Sequence, residues 1–455
     1  MKIIVVGCGK IGMALIESLV GEGHDVVAID NSPEVLAEVT NIYDVISACG
    51  NGTDWDLLLE ADAKNTDLFI AVTGSDELNM LSCFLARRMG AKHTVARIRN
   101  PEHNDGSLDF LRQQLELSLV VNPERLVARE LYNMLKLPSA ARVETFSGRG
   151  LEMVELKLKT DSALDGMKLM ELRKKYPYKF LICMVQREED VFIPDGNFTL
   201  KSGDKIGLIA TPPEVLKLLK SLGILQKQAR DVMILGASNT AYYLTRMLLA
   251  GGNAVKIVDR DEERCRIFSE ELPDAVVIHG DGSQQELLLE EGLSNMDAFV
   301  ALTGMDEQNI LISYFASSRK VPKVISKINR DEFSSLADQL GLDSFVTPKN
   351  TIANIIVRYA RALENSLDSS VETLYKLAGG KAEALEFIVL GDAPVCNIPL
   401  KDLHLKQNTL IAGITRGRKS IIPAGNDEIC PGDRVLILTS GHRINNLSEI
   451  LENKQ

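Results

Sequence analysis

Residues 2–30 constrain the fold more than any other stretch. They run as an apolar segment Ile3-Ile4-Val5-Val6, a turn Gly7-Cys8-Gly9-Lys10-Ile11-Gly12, a segment of helical spacing, and a second apolar segment, Val26-Val27-Ala28-Ile29, that ends on Asp30. Strand, glycine turn, helix, strand and terminal acid, in that order, describe a βαβ unit with a dinucleotide site. Gly7 permits the sharp turn out of the strand, Gly9 lets the backbone approach a pyrophosphate, and Gly12 lets the helix pack close to the sheet. The helix start offers unpaired N–H groups and a partial positive charge to phosphates. Asp30, 23 residues after Gly7, is spaced to accept hydrogen bonds from ribose hydroxyls. Its charge would repel a 2′-phosphate, so NAD(H) is expected over NADP(H). A lone G-x-G-x-x-G is a weak signal, and a unit whose loop had lost its ligand would read the same way.

The pattern occurs twice. Val232-Met233-Ile234-Leu235 precedes Gly236-Ala237-Ser238-Asn239-Thr240-Ala241, and a later apolar run ends on Asp259. Gly236 and Asp259 each lie 229 residues after Gly7 and Asp30, while Thr303-Gly304 and Asp306-Glu307 lie 230 after Thr73-Gly74 and Asp76-Glu77. Asp281, within Gly280-Asp281-Gly282-Ser283, answers the turn at Asn51, and Lys327 answers Arg97. So many landmarks at one offset indicate an internal duplication. Ser238 stands where the middle glycine was, bringing a side chain toward any phosphate along with a hydroxyl that could donate to it. The second copy is either a second site (Gly236, Ser238, Asn239, Thr240, Asp259, Asp281, Thr303, Gly304 and Lys327) or a structural repeat.

At 455 residues the chain has room for two to four domains. The expected class is α/β: two Rossmann-like, doubly wound parallel-sheet domains, each followed by a small α+β domain. The boundaries fall at 1–140, 141–223, 229–366 and 367–455. A net charge of −12 argues against non-specific nucleic-acid binding and against a basic patch for anionic lipid. No run reaches the ~18 apolar residues of a spanning helix, and the N-terminus reads as strand–turn–helix, not a signal peptide. Any membrane role is therefore expected to come through a partner. The seven cysteines form no C-x-x-C pair and read as reduced thiols of a cytosolic protein.

Within the first copy, the polar turn Asn51-Gly52-Thr53-Asp54 follows a short strand and precedes a helix, which sets it at the carboxyl edge of the sheet beside the glycine loop. A strand over 68–72 ends at Thr73 and Gly74, which line the same crevice or merely lead into a helix capped by Ser75 or Asp76. Arg97 closes the next strand. It and Lys327 are cations placed for phosphates, or members of surface salt bridges. Asn122-Pro123 opens a long amphipathic helix with Val127 and Leu131 on its apolar face, and Thr347-Pro348 opens its twin with Ile352 and Ile356. That face either meets a partner or covers the sheet edge. The small domain reads as strands over 143–146, 151–158, 180–185 and 205–210, a short helix closed by Leu172, and a final helix over 212–222.

The duplicated plan, with GCGKIG, AVTGSDELN, ARIRNPEH and a second ALTGMDEQN, resembles the TrkA family of cytosolic regulatory subunits of Trk-type potassium uptake systems. The resemblance covers essentially the whole chain. It implies two tandem RCK (regulator of potassium conductance) modules, each an RCK_N Rossmann-like domain followed by a small RCK_C domain. It also implies a ring-like homo-oligomer, a tetramer or dimer of dimers, on the cytoplasmic face of the membrane beneath a potassium-translocating subunit of the TrkH, TrkG or KtrB kind. NAD(H) is the implied ligand, with ATP or ADP as competitors for the same crevice. Carried over by position, Gly7, Cys8, Gly9, Lys10, Ile11 and Gly12 meet the pyrophosphate and Asp30 the ribose. Asn51, Gly52, Thr53 and Asp54 lie near the adenosine, Thr73 and Gly74 close the crevice, and Arg97 reaches in. Ser238 departs from the family pattern.

A dehydrogenase needs a proton donor or acceptor beside the nicotinamide. None of the six histidines, His24, His93, His103, His279, His404 and His442, falls in a recognisable catalytic constellation. His24 is expected at the carboxyl end of the first helix. No metal-ligand spacing is present either. The expected role is thus a nucleotide-sensing switch and not an enzyme. An NAD-dependent oxidoreductase, or an RCK regulator of another cation channel or antiporter, are the alternatives.

Overall fold

The structure, a computed structural model, describes residues 1–100, 105–146, 150–160, 162–330, 332–365, 371–391, 393–444 and 446–452. His103 and the neighbouring Pro101-Glu102 of the ARIRNPEH motif lie outside these residues. The chain divides into two compact units. One comprises Met1–Tyr132 and Arg230–Ala360, the other Asn133–Ala229 and Arg361–Gln455. Like segments of the duplication are therefore grouped with like.

In the first unit, the first copy runs β1 (Lys2–Val6), α1 (Lys10–Gly21), β2 (Asp25–Asp30), α2 (Pro33–Ile42), β3 (Ile46–Cys49), α3 (Trp55–Glu60), β4 (Leu68–Ala71), α4 (Asp76–Met89), β5 (His93–Arg97), α5 (Asp105–Gln114), β6 (Leu119–Val121) and α6 (Pro123–Lys136). The strands form one parallel sheet in the order β3-β2-β1-β4-β5-β6. Its central strands are continuous Ile, Val, Leu and Ala runs because helices cover both faces, and Ile3, Ile4, Val5 and Leu68–Ala71 have no exposed surface. Two elements were not expected from the sequence, α5 and the three-residue β6. Strand β6 matters because it delivers the chain to Asn122, whose Oδ1 accepts from Arg125 N at 2.8 Å and starts α6.

In the small-sheet unit, the first copy continues with β7 (Arg142–Thr145), β8 (Glu152–Lys157), α7 (Leu169–Lys175), β9 (Phe180–Arg187), β10 (Asp190–Phe192), β11 (Lys205–Ala210) and α8 (Pro212–Ser221). Its sheet is antiparallel, ordered β10-β9-β11-β8-β7. Helix α7 continues past Leu172, where the sequence reading closed it.

The second Rossmann-like copy repeats the plan in the first unit: β12 (Asp231–Leu235), α9 (Asn239–Ala250), β13 (Ala254–Asp259), α10 (Glu262–Glu271), β14 (Val276–His279), α11 (Gln285–Glu290), β15 (Ala298–Ala301), α12 (Asp306–Ser318), β16 (Lys323–Lys327), α13 (Glu332–Gln339), β17 (Phe345–Val346) and α14 (Pro348–Asn365). The strand order β14-β13-β12-β15-β16-β17 matches that of the first copy. The second small sheet, β18 (Val371–Leu377), β19 (Ala382–Ile388), β20 (Thr409–Arg416), β21 (Lys419–Ile421) and β22 (Arg434–Ser440), is also antiparallel. Where the first small domain has helices, its described residues have 3-10 turns at Leu400–Asp402 and Leu447–Ile450. The two small sheets share a core in which Met153, Met184 and Ile209 meet Tyr375, Ala384 and Leu438.

The long helices answer the question left open by the sequence. Val127, Ala128 and Leu131 of α6 and Ile352, Ala353, Ile356 and Val357 of α14 are all at most 3% exposed. Polar contacts join the two copies beside them. Asn122 Nδ2 donates to the Tyr243 hydroxyl at 3.0 Å, Thr351 Oγ1 donates to Glu130 at 3.0 Å, and the Tyr359 ring meets His93 edge-on. The partner of each apolar face thus lies within the chain itself.

The copies differ at one titratable core position. Where β5 begins with His93, β16 begins with Lys323, which is 4% exposed and donates to Ser344 Oγ at 2.7 Å. Burial pulls its ammonium down to about 7, against the opposing pull of Asp343. Below that pH the folded and unfolded chains both carry the proton. Between there and the ~10.4 of a free lysine the unfolded chain holds the extra proton, so stability should rise with pH, by up to about 1.4 kcal/mol per unit. Urea melts at about pH 6 and about pH 9 should show that rise in the native chain and a smaller one in Lys323→Met. Equal slopes in the two proteins would remove Lys323 as its source.

Candidate functional site

In a doubly wound sheet, ligands bind outside the carboxyl ends of the strands where the strand order reverses. Here that point lies between β1 and β4. A cleft of about 740 Å³ opens there, within the size range of small-molecule sites.

The glycine loop forms its floor. Gly7, at φ +94°, turns the chain out of β1, a conformation L side chains avoid. A Cβ on Gly12 would lie 1.9 Å from the Gly7 carbonyl oxygen, so Gly12 serves packing. Gly9 is different: a Cβ there would meet nothing within 4 Å. No packing demand of the protein explains this glycine, and the space in front of it belongs to the cleft. Gly9 is also the N-cap of α1 and supplies no capping side chain, which leaves the first amides of that helix for an external acceptor. In the second copy Ser238 occupies this place, and its Oγ accepts from Ala241 N at 3.4 Å. The hydroxyl that the sequence offered to a phosphate caps α9 instead.

Asp30 holds the loop. Its Oδ2 accepts from Cys8 N at 2.7 Å and its Oδ1 from Ser32 N at 3.0 Å, leaving one lone pair on each oxygen for a ligand. Cys8 turns its thiol to the Ile29 carbonyl, away from the cleft. Burial, assisted by the Asp30 charge, raises that thiol to about 12. Asp259 repeats the arrangement with Ala237 N at 2.5 Å and Asp261 N at 2.8 Å.

The remaining expected residues sort clearly. Gly7, Gly9, Lys10, Ile11, Asp30, Asn51, Gly52, Thr73, Gly74 and Arg97 line the cleft. Cys8, Gly12, Thr53 and Asp54 do not. Asn51 Oδ1 accepts from the Thr53 amide and hydroxyl, both at 3.0 Å, and Asp54 caps α3. Among the second-copy residues, Thr240 and Lys327 line this same cleft, in the company of Asn329, Pro348, Lys349 and Ile352. Gly236, Ser238, Asn239, Asp259, Asp281, Thr303 and Gly304 do not.

Arg97 bridges the wall. Its Nη1 donates to Thr73 O at 3.4 Å, and its Nη2 lies 3.8 Å from Glu124. Burial lowers the guanidinium pKa and raises that of the Glu124 carboxyl, each partly offset by the other's charge. Arg97 Nε and Glu124 Oε2 are buried and have no hydrogen-bond partner among the described residues. Lys327 donates to Leu302 O at 3.3 Å, and burial lowers its pKa while Asp306 and Glu124 oppose this. The cleft thus has a floor of helix amides with the Asp30 carboxylate beside it, and walls that carry Arg97 with Glu124 and Lys327, a chemistry suited to a phosphate-bearing ligand. No histidine of the described residues lines it. His24 is buried directly after α1, as expected, and His279 and His442 contact Arg260 O and the Thr409 and Thr439 hydroxyls.

The family model for the TrkA-N domain matches residues 3–123 and 232–348, and that for the TrkA-C domain matches 153–223 and 384–452. Together they cover most of the chain, in the tandem order of the duplication. The chain belongs to the TrkA family. A Trk system potassium uptake protein TrkA homolog from Archaeoglobus fulgidus is 30% identical over 99% of this chain and 100% of its own. The TrkA protein of Vibrio alginolyticus is 29% identical over 96% of this chain and 95% of its own. Among solved structures, the GsuK RCK domain superposes with a TM-score of 0.63 at 17% identity, covering 97% of this chain and 92% of its own. A GsuK channel bound to NAD gives 0.62 at 17% identity, over 97% and 77%. The TrkA membership and the RCK-like fold therefore agree.

Two residues of this TrkA chain support the cleft without having been assigned to it from the sequence. Asn79, fully buried, accepts from Thr73 N at 2.8 Å and from Thr73 Oγ1 at 2.7 Å, and donates to Arg97 O at 2.9 Å. Its signal lay in plain view, since DELN and DEQN repeat at one offset. Asp76 was expected as an alternative cap for α4. Ser75 alone caps it, accepting from Leu78 N at 3.1 Å, while the buried Asp76 accepts from Arg99 N and Asn100 N, both at 2.8 Å. It fixes the chain as it leaves β5, and Asp306 repeats this with Asn329 N and Arg330 N at 2.9 Å.

Proposed function

We propose that this chain is the cytosolic regulatory subunit of a Trk-type potassium uptake system, that it binds NAD(H) in the first-copy cleft, and that the bound nucleotide sets the state of an integral membrane potassium-translocating partner. The observation that carries the reading is the open helix start at Gly9. Amides without a side-chain cap, the space before them, and the buried Arg97 Nε with no partner among the described residues all fit a pyrophosphate. Asp30 retains acceptor capacity for an adenosine ribose. The names of the relatives point the same way, and GsuK structures are described as bound to NAD and to ADP. ATP or ADP would share the adenosine end of the site.

A ligand touching the floor from one copy and a wall from the other favours one angle between the copies. Gating then follows as a population shift, provided the ligand binds the two states with different affinity. No helix among the described residues is long and apolar enough to cross a membrane, so the reading requires a separate translocating subunit. Titration of the purified chain with NADH by calorimetry tests the site. Potassium flux through the co-purified membrane subunit, with NADH, NAD, ATP or ADP added singly, tests the gating. Flux indifferent to all four would sink the regulatory reading, and steady NADH oxidation with a small carbonyl compound would establish an oxidoreductase instead.

Assembly into a homo-oligomer has its own support. Leu59 and Leu81 in the first copy are 47% and 49% exposed, and their equivalents Leu289 and Leu311 are 36% and 64% exposed. An apolar surface repeated at equivalent positions makes each chain bivalent toward other copies of itself. Light scattering should give a lower mass for the Leu81→Asp/Leu311→Asp double variant than for the native chain, and an unchanged mass would place the contacts elsewhere.

A further inference from the structure

The whole-chain charge of −12 conceals a local excess of the opposite sign. Residues 168–179 of the first small domain carry Lys168, Arg173, Lys174, Lys175 and Lys179 against one acid, Glu171, and all five cations are exposed. Lys168 precedes α7, and the others crowd its last turn and the loop that follows. That loop is fastened to α8. Glu214 accepts from Lys179 N at 3.0 Å and from Lys217 Nζ at 2.7 Å, and the Ser221 and Tyr178 hydroxyls are hydrogen-bonded at 2.8 Å. Helix α8 thereby adds Lys217 and Lys220 to the same surface, with Leu216, 47% exposed, one turn before Lys220. Ile224 and Leu225 follow, also exposed, and Ser139 Oγ holds their segment in place by donating to Ile224 O and accepting from Gln226 N, both at 2.8 Å. Basic and aliphatic side chains thus share one face. A sum over the whole chain erases this distribution, which is why the net charge argues against a basic patch that is nonetheless present.

The second small domain shows that the fold does not require this face. Its bridge between Pro399 and Glu428 answers the one between Lys168 and Thr199. Yet residues 399–410 carry only Lys401 and Lys406 as cations, with Asp402 between them, and a 3-10 turn at Leu447–Ile450 whose one charge is Glu449 stands in place of α8. The composition of the face indicates what it meets. Among the cations on the two helices and their flanks only Arg173 is an arginine, whereas protein interfaces favour arginine and disfavour lysine. The ring beside them, Tyr176, is buried and offers no stacking platform to a nucleic acid. Lysines beside exposed aliphatic side chains suit a bilayer surface, where anionic headgroups meet the ammonium groups and the acyl boundary takes Leu216 and its neighbours. The acidic remainder of the chain is repelled by the same headgroups and turns this face toward them. We propose that the α7–α8 face of the first small domain is a docking surface for anionic phospholipid, so that the chain touches the bilayer itself and not only a membrane subunit. The inference does not rest on the reading of the cleft as a nucleotide site.

The test is co-sedimentation of the purified full-length chain with vesicles of phosphatidylglycerol and phosphatidylcholine in equal parts, against vesicles of phosphatidylcholine alone. Binding should be confined to the anionic vesicles and should fall as salt rises from about 0.05 to about 0.5 M. The triple variant Arg173→Glu/Lys174→Glu/Lys175→Glu should bind about a hundredfold more weakly, and Lys217→Gln/Lys220→Gln, on the other helix, about tenfold. Lys401→Glu/Lys406→Glu, at the equivalent stretch of the second copy, should stay within about twofold of the native chain. Thermal melts report the fold of each variant, and the α8 variant decides the matter should the α7 variant not fold. No binding by the native chain, equal binding to both kinds of vesicle, or native-like binding by the folded variants overturns the proposal. Retention of single-stranded RNA as tight as that of the vesicles, lost in the α7 variant, would reassign the face to a nucleic acid. A lower mass of that variant by light scattering without vesicles would reassign it to a second copy of the chain.

Discussion

Asp30→Ala should weaken NADH binding about a hundredfold, a loss of about 2.7 kcal/mol, and leave the first parallel sheet folded. Hydrogen bonds to a charged acceptor contribute about 1.5–3 kcal/mol each, so removing two ribose contacts accounts for that figure. The geometry adds a second contribution. Asp30 already holds the amides of Cys8 and Ser32 at 2.7 and 3.0 Å, so truncation also frees the loop that shapes the floor. The Cys8 amide, next to Gly9, would lose its acceptor, and the helix start would lose its preset position. Asp259→Ala is the matched control, because Asp259 holds Ala237 N and Asp261 N in the same way while Ser238 closes the helix start beside it. It should cost similar stability and leave NADH affinity within about twofold. Calorimetry on both variants separates the outcomes. Native-like binding in Asp30→Ala removes the assigned site, and an equal loss in Asp259→Ala means that the second copy is loaded as well.

That control was not available from the sequence, and the reason is physical. The strand–turn–helix–strand–acid run is local, so spacing alone conveys Gly7, Gly12 and Asp30. The duplication was equally legible, because it needs only matching intervals. Contacts between distant segments were not. Arg97 and Lys327 occupy equivalent positions 230 residues apart, which suggests two similar sites, yet the packing of α6 against the other copy brings both cations to one cleft. Ser238 showed that the second loop had changed but not the direction of the change. Its hydroxyl could face a phosphate or the amide of Ala241, and only the fold distinguishes these. Asp76 was misread for the same reason. Any acid at a helix start resembles a cap, and its true partners, Arg99 N and Asn100 N, belong to the next strand's exit. Strand β6 escaped notice because three residues carry no periodicity.

Asn79→Leu should destabilise the chain by about 3–4 kcal/mol and weaken NADH binding at least tenfold. The substitution is close in volume, so the loss is polar. It strands the Thr73 amide, held at 2.8 Å, and the Arg97 carbonyl, held at 2.9 Å, and an unsatisfied buried group costs about 1–3 kcal/mol. Both stranded residues are cleft walls, and Arg97 Nη1 reaches Thr73 O at 3.4 Å. Loss of the one asparagine therefore loosens the end of β4, the end of β5 and the guanidinium together. Asn309 makes the same network in the second copy, accepting from Thr303 N at 3.0 Å and donating to Lys327 O at 3.0 Å. Denaturant midpoints should fall by similar amounts for Asn79→Leu and Asn309→Leu. The variants should then part company. Asn79→Leu disturbs the wall beside the open helix start, so NADH should weaken. Asn309→Leu displaces a strand end of the second copy, whose own helix start is closed by Ser238, so NADH should be held nearly as well as by the native chain. Equal stability losses with identical binding profiles would mean that the two asparagines are only structural, and that the asymmetry between the copies lies elsewhere than at the ends of β5 and β16.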